Sequence, residues 1–549
     1  MEPLTIGLDF GTESARGVLV RCSDGAVVAT ATFAYPHGVL DRTLPGTGAE
    51  LPPEWALQHP QDWLEALETL LRALAAPDVV GIGVDFTSCT VLPTDPDGVP
   101  LCSMPEYRAE PHAWPKLWKH HAAQAYADRI NAAAARPEAG FLRWYGGKTS
   151  SEWLWAKGWE VLAEAAWVMR GAARWIEAGD WVVWQLVGRE VRSACQAGYK
   201  AHWQKGEGYP PASFWAALDP ELPTLLDRLS PPQPLGTAAG HLTEEWARRT
   251  GLRPDTRVAV AVIDAHAAVP GVGVREPGRL VAILGTSACH LMLSPRRREV
   301  RGIAGVVEDG ILPGWFGYEA GQASVGDIFQ WFVRTSVPAS WGAAEAEVFA
   351  ALETQAAQLR PGESGLLALD WWNGCRTPLV DADLSGLVVG LTLRTEPPEV
   401  YRALLEASAF GTRRVVETFE AGGVEIREVV ACGGLAERNA LLLQILADVL
   451  GREVVASEVR HASAVGAAIY AAAAAGVYGS VEEAVARMGA RGGTRYLPDP
   501  SAHRVYGALY TDYVELARHF GEGGTDLMKR LRARRGASRR AEPETREGR

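Results

Sequence analysis

Two short stretches combine residue types that bind phosphate. In "GLDFGTES", Asp9 ends an apolar run and is followed by Gly11, Thr12 and Ser14. A phosphate group needs several convergent N–H donors, and a metal ion that bridges its oxygens is usually held by carboxylates. Small residues let the backbone approach a ligand, hydroxyls add donors, and Asp9 would hold the metal through water. By itself the stretch is also compatible with an ordinary β-hairpin.

A second stretch of the same kind lies some 270 residues further along. "LGTSACH" places Gly285, Thr286 and Ser287 between two apolar runs, and "ACGG" follows another strand-like run downstream. A strand, a hydroxyl-rich bend and a strand near the start of each half indicate a duplicated architecture with a cleft between the halves. The pairing of the two bends favours a nucleotide-phosphate site over two unrelated hairpins.

Asp264 is the candidate catalytic carboxylate. It ends the apolar run "RVAVAVIDA", so it would leave a strand and enter the cleft. A carboxylate within hydrogen-bond reach of a hydroxyl group can take its proton during phosphoryl transfer. The alternative is an aspartate that caps the following helix. For His266, two residues on, a structural role is the preferred interpretation.

The usual glycine-rich phosphate motifs are absent. "LRWYGGKTS" contains a Gly-Lys-Thr run, but Leu142 occupies the position of the earlier glycine that a P-loop requires. No GxGxxG run follows a predicted strand.

Composition limits the class of protein. The chain has 549 residues, 47% hydrophobic and 22% charged, with a net charge of −12. That length predicts at least two domains, and the negative charge disfavours a nucleic-acid partner or an anionic membrane surface. Neither a secretion signal nor an apolar run long enough to span a membrane is apparent. The seven cysteines form no CxxC pair, which is typical of reduced thiols in a cytoplasmic protein.

The elements that would position these residues follow from periodicity. Residues 4–10 predict a buried strand, and two more strands joined by the Asp24-Gly25 turn follow it. A Trp-rich, mostly helical segment occupies residues 105–240. The strand–bend–strand order then recurs after about residue 270. The basic end, "RLRARRGASRRAEPETREGR", predicts a disordered tail over 526–549.

Several longer runs resemble the FGGY family of carbohydrate kinases. One family signature fits the region from "GLVVGL" to "EVYRALLE", and a second region of similarity is "YGGKTSSEWLWAKGWEVL". Within the family the chain most resembles the ribulokinase subfamily, through the runs "GVDFTSCTVLP", "LWKHHAAQ", "AGYKAHW", "DAHAAVPGVG", "GVVEDGI", "GYEAGQ" and "LLALDWWNG". The similarity extends from about residue 4 to residue 515.

The resemblance implies a fold and a reaction. The fold would be α/β, with two duplicated actin/Hsp70/hexokinase-like (ribonuclease H-like) domains that flank a cleft, residues 1–268 and 269–525. The reaction would be phosphorylation of L-ribulose by ATP and Mg²⁺ to L-ribulose 5-phosphate. Another pentulose or pentitol, such as D-ribulose or ribitol, is an alternative substrate. An actin- or Hsp70-like nucleotide-switched binding protein is an alternative of another class. The resemblance leaves open whether the chain forms a homodimer.

The resemblance also implies roles for individual residues. Asp264 matches the family's catalytic base. The positions at which the subfamily contacts its sugar correspond to Ser88, Lys200, Asp264 and Glu319. The phosphate segments match Gly11, Thr12 and Ser14 in one half and Gly285, Thr286 and Ser287 in the other. The family's adenosine-pocket positions correspond to Gly326, Gly434 and Asn439. Its metal-binding positions correspond to Asp9 and, through water, Asp264.

Two positions depart from the glycerol kinases of the same family. Ser88-Cys89 stands where those kinases have an Arg-Glu pair, which argues against glycerol as the substrate. Arg438 stands where they carry Asn beside the adenine, which bears on nucleotide preference.

Overall fold

The computed structural model describes residues 2–540, with side chains described as far as residue 534. Its strands form two seven-stranded sheets and two short two-stranded ones. In chain order the strands are β1 (Leu4–Phe10), β2 (Ser14–Arg21), β3 (Val27–Ala34), β4 (Val79–Phe86), β5 (Val91–Thr94), β6 (Arg174–Glu177), β7 (Ala238–His241), β8 (Arg257–Ala259), β9 (Val262–Ile263), β10 (Arg279–Leu284), β11 (Ala288–Ser294), β12 (Gly305–Glu308), β13 (Phe316–Gln322), β14 (Leu367–Leu369), β15 (Leu387–Val389), β16 (Glu428–Cys432), β17 (Val454–Ser457) and β18 (Gly493–Tyr496).

Helices cover the sheets and build the segment between them. They are α1 (Pro60–Leu74), α2 (Gln124–Ala132), α3 (Leu154–Glu164), α4 (Ala166–Gly171), α5 (Ala178–Val187), α6 (Ala194–Lys200), α7 (Ala212–Ala216), α8 (Glu244–Thr250), α9 (Asp264–Gly271), α10 (Gly326–Ser336), α11 (Glu345–Ala356), α12 (Pro397–Ala421), α13 (Gly434–Arg438), α14 (Ala440–Leu450), α15 (Ala462–Ala474), α16 (Val481–Met488), α17 (Pro500–Gly521) and α18 (Leu527–Arg540).

The two large sheets repeat one arrangement. In the first, β1 pairs antiparallel with β2 and parallel with β4. In the second, β10 pairs antiparallel with β11 and parallel with β16. Strand β1 is buried along nearly its whole length, as expected for a central strand covered on both faces. The predicted α/β architecture with two matching halves is therefore confirmed, as are the strands predicted at the start of each half.

Helices α9 and α15 pack against each other. They approach closely because small residues line their contact: a Cβ on Gly466 would lie 1.7 Å from the Ala267 carbonyl oxygen. A Cβ on Gly7 of β1 would likewise lie 1.7 Å from the Ala464 carbonyl oxygen. Helix α15 thus packs on the first sheet, although its sequence lies in the second half.

The Trp-rich middle segment forms a core of its own. Trp155, Trp159, Trp175 and Trp215 are almost fully buried in it, and the rings of Trp155 and Trp215 stack at 4.1 Å between centroids. The segment attaches to the first sheet, so it can carry loops to the edge of the cleft.

The C-terminal region differs from the disordered tail predicted for residues 526–549. Residues 527–540 form α18, because Met528 joins the core of the second half and Lys529 pairs with Asp381 at 2.6 Å. Residues 541–549 of that predicted tail lie outside the described residues. Within residues 2–540, no helix combines the length and the apolar character that crossing a membrane would require.

Candidate active site

A cavity of about 220 Å³ lies between the two halves. It brings together seven of the residues predicted for the site. The first half contributes Thr12, Ser88, Lys200 and Asp264, and the second half contributes Thr286, Ser287 and Glu319. Both bends and the residues predicted to contact the sugar therefore line one cavity, formed by side chains of the two halves together.

Asp264 begins α9 directly after β9. Its Oδ1 accepts a hydrogen bond from the N–H of Ala265 at 2.6 Å, and no side chain caps the helix in the usual way. Burial, and next the nearby charge of Asp9, raise the pKa of Asp264 to about 7. The geometry therefore disfavours the capping alternative and leaves a carboxylate that titrates near neutral pH.

Three carboxylates lie at the ends of adjacent parallel strands. Asp9 is opposite Asp85 in the β1–β4 register, and β4 pairs in turn with β9, which leads into Asp264. Asp85 is fully buried, and neither of its carboxylate oxygens has a hydrogen-bond partner among the described residues. Burial and the charges of Asp9 and Asp264 raise its pKa well above the usual value.

This donor set fits a divalent cation. Mg²⁺ takes oxygen ligands, typically one or two carboxylates together with substrate phosphates and water, and a buried carboxylate without a partner needs a cation or a proton. Residues of the first half supply all three carboxylates. Sequence reasoning missed Asp85, although it ends an apolar run in the same way as Asp9 and stands in "GVDFTSC".

Lys200 and Glu319 form an ion pair across the cavity. Lys200 Nζ lies 2.9 Å from each carboxylate oxygen of Glu319, and both residues are buried. Burial by itself would lower the pKa of Lys200, but the Glu319 carboxylate outweighs it and raises that pKa above its usual value. Lys200 in return holds the pKa of Glu319 below its usual value against the effect of burial. Both groups therefore stay charged.

His266 packs behind this pair. Its ring lies 4.2 Å from that of Tyr199, and its Nε2 is 3.5 Å from a Glu319 oxygen. Burial lowers the pKa of His266 to about 3, so the imidazole is neutral. These contacts agree with the structural role preferred from the sequence.

The first bend is held by side chains from outside it. Gly11 N–H donates to the Ser14 carbonyl at 3.0 Å and closes the turn. Trp118 Nε1 donates to Thr12 Oγ1 at 3.0 Å, and Gln58 Nε2 donates to the Thr12 carbonyl at 2.8 Å. The loop that carries Trp118 therefore determines where Thr12 lies.

The second bend is held by backbone groups. Gly285 N–H donates to the Ser287 carbonyl at 2.9 Å, as in the first bend. The first residues of α10 then bind it: Gly326 N–H donates to the Gly285 carbonyl at 3.0 Å, and Val325 N–H donates to the Thr286 carbonyl at 2.8 Å. The start of α10 and the bend form one unit.

The three residues predicted for the adenosine pocket all lie in the second half. A Cβ on Gly326 would lie 3.3 Å from Leu435, the residue after Gly434, so α10 and α13 adjoin. Asn439 is buried and already bonded: its Oδ1 accepts from Leu442 N–H at 2.8 Å, and its Nδ2 donates to the Tyr401 hydroxyl at 3.1 Å. Its side chain caps α14.

A second ion pair spans the cavity and was not found from the sequence. Arg376 Nη2 lies 3.1 Å from Glu152 Oε1, and both residues line the cavity. They lie more than 220 positions apart in the chain, and no local pattern links them. Lys148, from the rejected P-loop match, also spans the halves by donating to the carbonyls of Leu379 and Val380 at 3.2 and 3.3 Å.

Two matching α/β halves, a glycine- and hydroxyl-rich bend from each, and a buried carboxylate in the cleft define the class of two-domain phosphotransferases that act on small molecules. Residues 280–475 match the C-terminal domain of the FGGY family of carbohydrate kinases. A ribulokinase from Halalkalibacterium halodurans is 51% identical over 96% of this chain and 97% of its own. One from Mycolicibacterium smegmatis is 48% identical over 98% and 97%. The chain belongs to the FGGY family of carbohydrate kinases.

Solved structures agree with this assignment. A xylulose kinase from Rhodospirillum rubrum superposes with a TM-score of 0.75 at 25% identity, covering 94% of this chain and 98% of its own. A gluconate kinase from Lactobacillus acidophilus has a TM-score of 0.79 at 18% identity, covering 95% and 99%, which bears on the fold alone. The predicted family, fold class and kinase activity are confirmed, and the alternative of a nucleotide-switched binding protein is set aside.

Proposed function

We propose that this kinase transfers the γ-phosphoryl group of ATP to the 5-hydroxyl of L-ribulose, giving L-ribulose 5-phosphate and ADP. The observation that supports this most directly is the convergence of Asp264, the Lys200–Glu319 pair and both bends on one cavity. The ribulokinase relatives, similar over nearly the whole chain, support ribulose as the sugar.

Asp264 is proposed as the general base. A sugar hydroxyl is a weak nucleophile, and a carboxylate that accepts its proton as the phosphorus–oxygen bond forms contributes typically about 10²- to 10⁴-fold in rate. A base works best when its pKa lies close to the working pH, and the pKa of Asp264 is about 7. The hydroxyl oxygen then bonds to the γ-phosphorus, and ADP leaves.

Ser88, Lys200 and Glu319 are proposed to hold the sugar. Lys200 offers hydrogen-bond donors and Glu319 offers acceptors, so the pair can bind sugar hydroxyl groups both as acceptors and as donors. Ser88, which lines the same cavity, adds a hydroxyl that can donate or accept. Fixing the sugar between residues of both halves supplies the positioning on which phosphoryl transfer depends.

The nucleotide is proposed to lie along the two bends and α10. Backbone N–H groups and hydroxyls of Gly11, Thr12 and Ser14 would face the phosphates from one side, and those of Gly285, Thr286 and Ser287 from the other. Gly326 and Gly434 are proposed to leave room for the adenosine, and Asn439 to support that pocket by capping α14.

Asp9 and Asp85 are proposed to hold Mg²⁺, with Asp264 contributing through water. When bound, the ion neutralises charge on the β- and γ-phosphates.

We also propose that the chain divides into two domains, residues 1–268 and 269–525. Helix α15 belongs to the second domain by its position in the sequence, but it packs on the sheet of the first.

A coupled assay of ADP release with L-ribulose, D-ribulose and ribitol tests the substrate. We expect L-ribulose to have the highest kcat/KM, and ADP release without sugar to be slow because water lacks the contacts of the sugar site. A higher kcat/KM for D-ribulose or ribitol would reassign the substrate while leaving the kinase chemistry unchanged.

A further inference from the structure

Lys157 of α3 is a buried lysine whose donors all go to backbone carbonyls. Its Nζ donates to the carbonyls of Cys89 at 2.6 Å, Leu117 at 2.7 Å and Lys116 at 3.3 Å. An ammonium group has three donors, so these bonds use its full capacity. The side chain has no exposed surface and forms no hydrogen bond to a carboxylate among the described residues.

The acceptors belong to two segments that reach the cavity. Cys89 follows Ser88, which lines the proposed sugar site. Leu117 precedes Trp118, which lines the same cavity and donates to Thr12 Oγ1. One ammonium group therefore joins the segment that carries Ser88 to the segment that positions the first phosphate bend.

The backbone at Cys89 needs such support. Cys89 has a φ of +63°, in the left-handed region that residues with a Cβ seldom adopt. A strained residue persists only where its surroundings determine its conformation, and such residues often occur at active sites. The bond from Lys157 to the Cys89 carbonyl is the shortest of the three and holds the peptide between Cys89 and Thr90, on the far side of the strained residue from Ser88.

A neighbouring lysine provides a contrast. Lys116 is equally buried, but it pairs with Glu160 at 3.0 Å and lies 4.1 Å from the centre of the Trp55 ring. Among the described residues, the partners of its ammonium group are His112, Glu160 and the Trp55 ring, and none of these lines the cavity. Both lysines contribute to the packing of the middle segment, whereas only Lys157 bonds to the two segments at the cleft.

We propose that Lys157 is a positioning residue of the active site, which holds the Ser88 and Trp118 segments in register so that the sugar lies correctly between Asp264 and the first phosphate bend. This rests on the proposed function only in that the cavity is the sugar site. Lys157 lies in "YGGKTSSEWLWAKGWEVL", the run that also supplies Lys148 and Glu152 to the cleft.

Lys157→Met and Lys116→Met form a matched pair of tests. The readouts are KM and kcat for the sugar, the dissociation constant of a non-hydrolysable ATP analogue and the thermal midpoint. We expect Lys157→Met to raise the sugar KM and lower kcat, together lowering kcat/KM about 100-fold, because a misplacement of about 1 Å has that effect. Nucleotide affinity should change less than the sugar KM. Lys116→Met should lower the thermal midpoint similarly and leave the sugar KM near the wild-type value.

The proposal is overturned if Lys157→Met leaves the sugar KM and kcat unchanged, or if Lys116→Met changes them equally. Should Lys157→Met fail to fold, Lys157→Arg is the second test. A guanidinium keeps the positive charge and the donors but distributes the donors over a wider planar group, so the sugar KM should rise while the thermal midpoint changes little. An unchanged sugar KM in that variant overturns the proposal. The assay uses whichever sugar has the highest kcat/KM, so a wrong sugar assignment leaves this test valid.

Discussion

The two bends have the same backbone design and different surroundings. In each, a glycine N–H closes the turn on a carbonyl three or two residues ahead, Gly11 on Ser14 and Gly285 on Ser287. The first bend follows β1, whose penultimate residue, Asp9, lies beside Asp85 at the same edge of the sheet as Asp264. The second follows Leu284, and within the part of the chain that the structure describes the start of α10 holds it through backbone bonds alone.

This difference indicates a division of labour between the halves. Among the described residues, the three strand-end carboxylates proposed to hold a metal or take a proton all lie at the first sheet, so we expect proton transfer and metal binding to depend on that half. The second bend offers neutral donors attached to a helix, which suits binding of a polyanionic nucleotide. Substitutions of the strand-end carboxylates should therefore affect turnover, and substitutions around the second bend should affect nucleotide affinity.

The largest effect is expected from Asp264→Asn. The amide matches the carboxylate in shape but cannot take a proton, so kcat should fall about 10²- to 10⁴-fold. Nucleotide binding, measured with a non-hydrolysable analogue, should be nearly unchanged. Near-normal turnover would remove Asp264 as the base and move the chemistry away from the first sheet.

Asp9→Asn should have the next largest effect. Loss of one of three carboxylates should weaken the metal site, and turnover at a fixed Mg²⁺ concentration should fall about 100-fold, since a metal contributes several kcal/mol to transition-state stabilisation. Turnover should recover partly as Mg²⁺ is raised. The thermal midpoint is the control: a variant that simply unfolds would return "GLDFGTES" to the role of an ordinary hairpin.

An effect of intermediate size is expected in the pH dependence of kcat/KM, which should report the titration of Asp264 in the first half. Because a base must be deprotonated and the pKa of Asp264 is raised to about 7, kcat/KM should be highest above that pH and fall about tenfold per unit below it. In Asp264→Asn this acidic limb should disappear from the residual activity. A limb that persists in that variant would assign the titration to another group.

The smallest effect is expected from Gly326→Ala. The new Cβ would lie 2.7 Å from the Gly285 carbonyl oxygen, so the second bend and α10 must move apart. We expect KM for ATP to rise about fivefold, an effect of about 1 kcal/mol, while the sugar KM stays constant. Gly140→Ala is the control, because its Cβ would meet nothing within 4 Å. A rise in the sugar KM instead would contradict the division between the halves.

Sequence reasoning found the groups that carry a local pattern. Asp264 and both bends stand at the ends of apolar runs, where chain direction and burial place a polar group at the edge of a sheet. Lys200 and Glu319 came only through the family resemblance. Asp85 carries the same local signal as Asp9, but only the pairing of β1 with β4 shows that it lies beside Asp9. The Arg376–Glu152 pair was missed because its members meet only across the cleft.

The sequence by itself determined the two α/β halves, the hairpin in each, and the family, because strand periodicity and strand–bend–strand order are local properties of the chain. Only the tertiary structure decided that three carboxylates converge, that α15 packs on the first sheet, and that Lys157 joins two loops at the cleft. Parallel pairing and burial bring together residues that are far apart in the chain, and their electrostatic interactions become strong only where the folded protein excludes water.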